Sequence, residues 1–276
     1  DIHSLLLTFN PKNVSVSNLN LNLGKSDIQG NGSLDNLLGY MLKGQDLKGQ
    51  LDIKSSFIDV NEMFPPSAAA SSNTTPQSTA AATTSMSTVE IPGKIDFTLS
   101  AMLGRVLYDK MDLSNVKGII TIANKELHLK QVAMNLLNGS IKADGFYSTQ
   151  PHKKPKAEMD LDISKMSIPG LFDILPAMQQ YARIAQNTKG DMSAKMHVNT
   201  ELEKDMMPDW NSFSSHGGLN IPKLTISNYK PLVELGKVIG VKTFDNLLLT
   251  GINPKYLIKD GRVSLTEPLQ FTVDDF

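Results

Sequence analysis

The feature that most constrains this chain of 276 residues is a strand pattern that it contains twice. In the first copy, segment 26–34 is followed after a spacer by segment 48–64, and in the second copy segment 139–147 is followed by segment 156–172. The two 17-residue second segments align without a gap, and six apolar positions coincide. These positions are Leu51 and Met159, Ile53 and Leu161, Ile58 and Met166, Val60 and Ile168, Met63 and Leu171, and Phe64 and Phe172. Such a recurrence indicates duplicated structure, so a repeat architecture is expected before any enzyme.

Most of the chain alternates apolar and polar residues with a period of two, which is typical of half-buried strands. Short turn signals such as Asn124-Lys125, Asn138-Gly139 and Asp260-Gly261 separate neighbouring runs, so consecutive strands should pair antiparallel. Near Ser17-Asn18 the alternation changes phase, which predicts a β-bulge or turn. We therefore predict a mostly β fold: an elongated, twisted, largely antiparallel sheet built from repeated strand modules, with two or three amphipathic helices packed on it.

The composition of segment 65–88 divides the chain. This segment consists mainly of Ala, Ser, Thr and Pro and has no charged residue, so it buries too little apolar surface to offset its conformational entropy. We predict a disordered linker there, between a first β module at 1–64 and a second, larger β module at 89–276. Helices are predicted near 167–187 and near 231–239, because apolar residues recur there at helical spacing.

Charge, cysteine content and hydropathy exclude several kinds of protein. The formal net charge of −1 gives no electrostatic basis for binding nucleic acid. Because cysteine is absent, the chain has neither a disulfide nor a cysteine nucleophile. No apolar run reaches the ~18 residues expected of a membrane-spanning helix. The chain begins and ends within strand patterns, so we expect a piece of a longer protein.

The sequence contains no known catalytic or metal-binding motif. His128 and His197 fall on the polar faces of alternating strands and are interpreted as exposed strand residues. Asp160 and Asp162 share a strand face with Glu158; adjacent carboxylates can bind a cation, but such a row is more typical of a solvated face. We therefore predict no catalytic residue, no metal site, no cofactor and no enzymatic activity.

Several segments resemble one family of proteins. Segment 111–147, MDLSNVKGIITIANKELHLKQVAMNLLNGSIKADGFY, resembles the carboxy-terminal region of AsmA-like proteins, and segment 32–64 is similar to the module that precedes it in that family. An amphipathic helix and a following strand that begins with glycine, over 168–190, fit the same pattern, as does the hairpin LIKDGRVSL at 257–265. The resemblance covers nearly the whole chain except 65–88, and it rests on glycines and alternating apolar residues.

This resemblance implies a cell-envelope protein of a Gram-negative bacterium. AsmA-like proteins are anchored in the inner membrane by an amino-terminal helix, extend into the periplasm and are linked to outer-membrane assembly. They are related to repeating β-groove proteins thought to pass phospholipid along an apolar trough. The resemblance thus implies that this chain is a non-enzymatic periplasmic segment of such a membrane-anchored protein, without its anchor. It would act in outer-membrane assembly or phospholipid transport through an apolar β-groove.

The expected partners are phospholipid or another acyl-chain lipid, the remainder of the longer chain, and other envelope proteins. The candidate groove-lining residues are apolar positions in four alternating strands: Ile95, Phe97, Leu99, Ile120, Ile122, Leu127, Leu129, Met159, Leu161 and Ile163. Two alternatives stay open. A structural or adhesive β-module would bind protein partners through its sheet edges and have a closed, dry core. A hydrolase with an unrecognised site would have a pocket with convergent polar groups.

Overall fold

Strands dominate the computed structural model, which describes residues 1–10, 12–63, 90–150, 154–175, 178–179, 183–240 and 242–274. The predicted linker at 65–88 lies outside these residues. The strands are β1 (Ile2–Phe9), β2 (Asn13–Leu23), β3 (Ser26–Asp35), β4 (Leu47–Asp59), β5 (Ile95–Tyr108), β6 (Met111–Ala123), β7 (Glu126–Leu136), β8 (Gly139–Ser148), β9 (Lys156–Ser167), β10 (Thr188–Lys189), β11 (Asp191–Glu201), β12 (Ser214–Ser227), β13 (Asn246–Ile252), β14 (Lys255–Lys259), β15 (Arg262–Leu265) and β16 (Thr272–Asp274).

Helices are few and short among the described residues. The α-helices are α1 (Leu37–Lys43), α2 (Val60–Met63), α3 (Ile168–Ile174) and α4 (Lys230–Ile239), and 3-10 turns lie at Arg183–Asn187 and Lys242–Asp245. The prediction of a mostly β fold is confirmed, and the described residues include four α-helices with defined bounds where two or three were expected.

All strands in the described part of the chain belong to one sheet of 16 strands. Its order follows the chain from β1 to β9 and continues through β11, β12 and β13 to β16, while β10 and β14 pair with β12, and β15 pairs with β14. Neighbours joined by two-residue turns, such as β2/β3 and β5/β6, are antiparallel. Strands β4 and β5 pair in parallel. The prediction of a largely antiparallel sheet is therefore confirmed, with this parallel pair inside it.

Alternation and turn residues gave two local predictions, a bulge near Asn18 and a turn at Asn138-Gly139. The bulge is confirmed: the register of β2 against β3 shifts between Val16 and Leu19, and Asn18 has a φ of 55°. The predicted turn at Asn138-Gly139 is wrong by one residue, because Leu137 and Asn138 have the positive φ angles and β8 begins at Gly139.

The predicted helix at 167–187 is wrong in length. Ser167 is the N-cap, as predicted, and its hydroxyl accepts a hydrogen bond from the N–H of Gly170. The helix ends at Ile174, since Leu175 is extended with a φ of −107° and a ψ of 108°. A residue that precedes a proline is disfavoured in the helical region, and residue 176 is proline. The helix predicted near 231–239 is present as α4.

The repeat recurs in the structure at the point where each copy turns from strand to helix. Helix α2 begins at Val60 and α3 begins at Ile168, the residues that the sequence alignment sets opposite each other. The preceding residues, Asp59 and Ser167, both accept backbone N–H groups of the following turn through their side chains. Capping of this kind satisfies donors that a helix start leaves without partners.

The described residues form two compact units. Unit 1 comprises Asp1–Lys130, Phe146–Ala157 and Glu201–Asp209, and unit 2 comprises Gln131–Gly145, Glu158–Thr200 and Trp210–Phe276. Strands β4 and β5, which belong to different predicted modules, both lie in unit 1; the module boundaries themselves stay a prediction. Ten of the thirteen buried apolar side chains among the described residues belong to unit 2, where Ile168 and Leu171 of α3 contribute to the core.

Candidate functional site

An apolar face crosses the neighbouring strands of unit 1. Directly paired residues on adjacent strands present their side chains on the same face of a sheet. One row across the strands consists of Val14, Leu34, Gly49, Phe97 and Ile122. The next row consists of Leu7, Val16, Gly32, Leu51, Leu99 and Ile120. We name these two rows the unit 1 apolar face.

The hairpin between β6 and β7 extends this face. Its two turn residues, Asn124 and Lys125, have φ angles of 53° and 63°. A two-residue turn with both φ angles positive sets the flanking residues directly opposite each other. Leu127 therefore lies opposite Ile122, and Leu129 lies opposite Ile120, so the apolar rows continue onto β7.

The other face of the same strands is mainly polar. Gln50, Thr98 and Thr121 pair across β4, β5 and β6, and Lys48 pairs with Asp96. Because side chains alternate between faces along a strand, these polar residues and the apolar rows point to opposite sides. The alternation read from the sequence thus corresponds to a real segregation of apolar and polar surface.

The ten predicted lining residues fall into both units. Seven belong to unit 1, while Met159, Leu161 and Ile163 of β9 belong to unit 2. All ten are half-buried, and none is among the thirteen buried apolar side chains of the described residues. They therefore keep solvent-accessible surface that a closed core would remove. Whether they line one groove stays a prediction.

Four residues of the unit 1 apolar face were not predicted from the sequence. Val14, Val16, Leu34 and Leu51 occupy the same rows as the predicted lining residues, and all four are half-buried. The alternation of Val14 with Val16 and the repeat position of Leu51 were available signals. What the sequence could not supply was the pairing of β4 with β5, which brings the two sets together.

Glycines in the rows are overlaid by neighbouring apolar side chains. A Cβ atom built on Gly49 would lie 2.7 Å from Cδ2 of Leu34 and 2.9 Å from Cδ2 of Phe97. Those two side chains already fill the space above the glycine. The face is therefore packed laterally, from residue to residue within a row, although its outer surface keeps contact with solvent.

Helix α1, between β3 and β4, leaves much of its surface in solvent. It contacts β4 and buries none of its residues. Met41 and Leu42 are 70% and 78% exposed. Among the described residues of unit 1, three apolar side chains are buried, namely Ile91, Val106 and Leu202. The buried apolar core of unit 1 is therefore small among the described residues.

A carboxylate in unit 1 is held by the strand next to it. Oδ1 of Asp27 accepts hydrogen bonds from the backbone N–H groups of Ser56 and Phe57, at 3.0 and 2.8 Å, and from the hydroxyl of Ser55 at 3.1 Å. The backbone hydrogen bond from Ser56 is the largest cause that lowers the pKa of Asp27. This contact ties the start of β3 to β4 and is structural.

Unit 2 has a shallow depression of about 470 Å³ that is lined by residues of β8, β9, β11 and β12. Nδ1 of His197 lies 2.8 Å from Oδ1 of Asp160, and Nε2 of His197 lies 3.8 Å from Oε1 of Glu158. The ring of His216 lies 5.2 Å from that of His197, and Lys195 pairs with Asp162 at 3.5 Å.

These side chains pair across neighbouring strands, which is typical of a solvated sheet face. Within the described ranges, no three His, Asp or Glu side chains are arranged to hold a metal ion. The sequence placed Asp160, Asp162 and His197 on polar strand faces, but it missed the pairing of His197 with Asp160.

Comparison with known proteins gives no family model, no curated protein and no solved structure that matches the chain. None of the helices in the described part of the chain has the length and apolar character needed to cross a membrane.

Proposed function

We propose that this chain binds the acyl chains of phospholipid, or of a related lipid, on the unit 1 apolar face. In this proposal it is a non-enzymatic, periplasmic segment of an inner-membrane-anchored AsmA-like protein that acts in outer-membrane assembly or phospholipid transport. The resemblance of the sequence to that family motivates the cellular setting, and the geometry of the apolar face motivates the ligand.

The observation that carries the proposal is the incomplete burial of the apolar rows. Phe97, Leu99 and Ile122 are half-buried although they sit in the interior of a broad sheet. Covering apolar surface stabilises by roughly 25 cal/mol per Å², and each acyl methylene that leaves water contributes about 0.8 kcal/mol. An acyl chain bound along a row would gain this free energy because apolar surface of the protein and apolar surface of the chain both leave water.

The dimensions of the face suit one acyl chain. From β2 to β7 the rows cross six strands, which at ~4.8 Å between neighbours span about 24 Å. The hydrocarbon of one bilayer leaflet is about 15 Å deep, half of the ~30 Å core. A single acyl chain can therefore lie within a row.

The chemistry of the unit 1 apolar face favours binding of acyl chains and does not select a particular headgroup. The rows consist of aliphatic residues, Phe97 and glycines, and such surfaces recognise shape and apolarity without directional hydrogen bonds. The polar residues Thr98 and Thr121 point to the other side of the sheet. We therefore expect several phospholipids with similar acyl chains to bind comparably.

Native mass spectrometry of the gently purified chain, with extraction and identification of lipid, tests this proposal. We expect phospholipid to co-purify and Leu99→Glu to lose it, because the variant places a charge in the row. Ser100→Glu is the matched control, since Ser100 is the next residue and points to the opposite face. An unliganded mass that persists after incubation with phospholipid vesicles would contradict the proposal.

A further inference from the structure

Two histidines lie directly opposite each other on neighbouring strands of unit 2. His197 of β11 pairs with His216 of β12 in an antiparallel register, so both side chains are on the same face of the sheet. Their ring centroids are 5.2 Å apart, with 33° between the ring planes. His216 is exposed and His197 is half-buried. Both rings can therefore be reached from solvent.

The separation of the two rings suits a metal ion bound between them. An imidazole nitrogen lies about 2.0–2.1 Å from zinc, and the ligands of zinc are arranged as a tetrahedron. Two imidazoles on one zinc ion therefore have ring centroids roughly 5 Å apart. Because His197 and His216 already have this separation, an ion could bind both after a rotation of the rings, without movement of the strands.

Acidic residues of β9 lie next to His197. Nδ1 of His197 is 2.8 Å from Oδ1 of Asp160. When a carboxylate accepts the N–H of one ring nitrogen, the tautomer is fixed and the other nitrogen can act as a metal ligand. Oε1 of Glu158 is 3.8 Å from Nε2 of His197, so a second negative charge is close to the nitrogen that would bind a cation.

The ring nitrogens of His216 are available to a ligand. Among the described residues, its one recorded side-chain contact is with the ring of His197, and its partner on β14 is the apolar Leu257. The depression of about 470 Å³ beside the two histidines has room for water molecules. Because no set of three His, Asp or Glu side chains in the described part of the chain could hold a metal ion, water would supply the other ligands.

We propose that His197 and His216 bind a divalent transition-metal ion, which the two imidazoles and water molecules coordinate. Imidazole is a good ligand for zinc, copper and nickel, and affinity in such sites is highest for copper(II). The sequence predicted no metal site, because the register of β11 against β12 is what brings the two histidines together. The inference is independent of the proposed lipid binding, since its residues belong to unit 2.

Isothermal titration calorimetry of the chain with copper(II) and with zinc tests the site. We expect tighter binding of copper(II), and a loss of roughly tenfold or more in affinity for both ions in His197→Asn and in His216→Asn. His128→Asn is the matched control: His128 also lies beside a carboxylate, Glu126 at 3.1 Å, but its ring contacts Phe146 and not a second histidine. An unmodified chain that binds neither ion, or equal affinities of His216→Asn and His128→Asn, would overturn the proposal.

Nuclear magnetic resonance of the imidazole nitrogens identifies the ligands in the unmodified chain. On addition of zinc we expect the signals of Nε2 of His197 and of one ring nitrogen of His216 to shift together. Nδ1 of His197 should stay protonated, because Asp160 accepts its N–H. A shift at only one of the two histidines, or an equal shift at His128, would contradict the assignment. Circular dichroism establishes that each calorimetry variant is folded.

Discussion

The backbone N–H of Asn18 donates a hydrogen bond to the side-chain oxygen of Asn31 on the next strand, with 3.0 Å between the atoms. Asn18 occupies the bulge of β2 with a φ of 55°. In the second copy of the repeat, the N–H of Gln131, which has a φ of 53°, donates to Oδ1 of Asp144 at 2.7 Å. Both pairs are 13 residues apart. The duplication therefore includes a strand residue with positive φ and the side chain that accepts its N–H.

In both copies the residue after the acceptor is a glycine, and the same close backbone contact requires a glycine there. A Cβ atom on Gly32 would lie 2.5 Å from the carbonyl oxygen of Gln50, and one on Gly145 would meet the carbonyl oxygen of Glu158. Gln50 and Glu158 are equivalent positions in the sequence alignment. The backbone of the neighbouring strand comes so close to these two glycines that no side chain would fit. This contact explains why glycine recurs there.

Replacing the acceptor at the bulge should destabilise unit 1 modestly. Asn31→Ala removes the side-chain oxygen that the N–H of Asn18 uses, which we expect to cost about 1 kcal/mol at this exposed site. Asn18→Gly keeps the N–H and favours positive φ, so it should be neutral or stabilising. Urea denaturation measures both free energies of unfolding. Equal losses in the two variants would mean that the hydrogen bond does not stabilise the bulge.

Adding a methyl group at Gly49 should strain the apolar rows. Gly49→Ala would force Leu34 and Phe97 to move, and overpacking of this kind costs about 1–3 kcal/mol. Gly218→Ala is the matched control, since its nearest neighbours would be 3.8 Å from the new Cβ and its φ is not positive. Thermal unfolding should show a lower midpoint for Gly49→Ala and little change for Gly218→Ala. A similar midpoint for both variants would indicate that Leu34 and Phe97 move aside without a loss of stability.

Stability should fall with acid in a way that depends on Asp27. Hydrogen bonds from Ser56, Phe57 and Ser55 lower the pKa of Asp27 in the folded state. A lowered folded pKa contributes stability above the unfolded value of about 3.9, and this stability is lost as pH falls through the folded pKa. Asp27→Asn should therefore be less stable than the wild type at pH 7, and the difference should shrink below about pH 4. Denaturant midpoints at several pH values test this, and a constant difference would contradict it.

Sequence patterns located the strands, the bulge at Asn18 and the hairpin at Asp260-Gly261, whose φ angles of 52° and 67° are both positive. These features are determined by residues close together in the chain. The turn at Leu137-Asn138 was placed one residue late, because a glycine at position 139 is compatible with two roles. It can be a turn residue with positive φ, or it can allow the backbone of another strand to come close. A Cβ on Gly139 would lie 2.5 Å from the carbonyl oxygen of Ser164, so this glycine serves the approach.

Features that depend on distant pairing could not be predicted. The parallel pairing of Leu51 with Leu99 joins strands on either side of segment 65–88. The contact of His197 with Asp160 requires the register between β9 and β11, and a shift of one residue would put either side chain on the other face. Alternation gives the face of a residue relative to its neighbours along the strand, but it does not give the partner strand.

The most direct test of the central claim is quenching of tryptophan fluorescence by phospholipid with brominated acyl chains. The chain has one tryptophan, so Phe97→Trp and Thr98→Trp are each made together with Trp210→Phe. Residue 97 lies on the unit 1 apolar face, and residue 98 lies on the opposite face. We predict strong quenching at position 97 and weak quenching at position 98. Equal quenching at both positions, or none at position 97, would contradict the binding of acyl chains on this face.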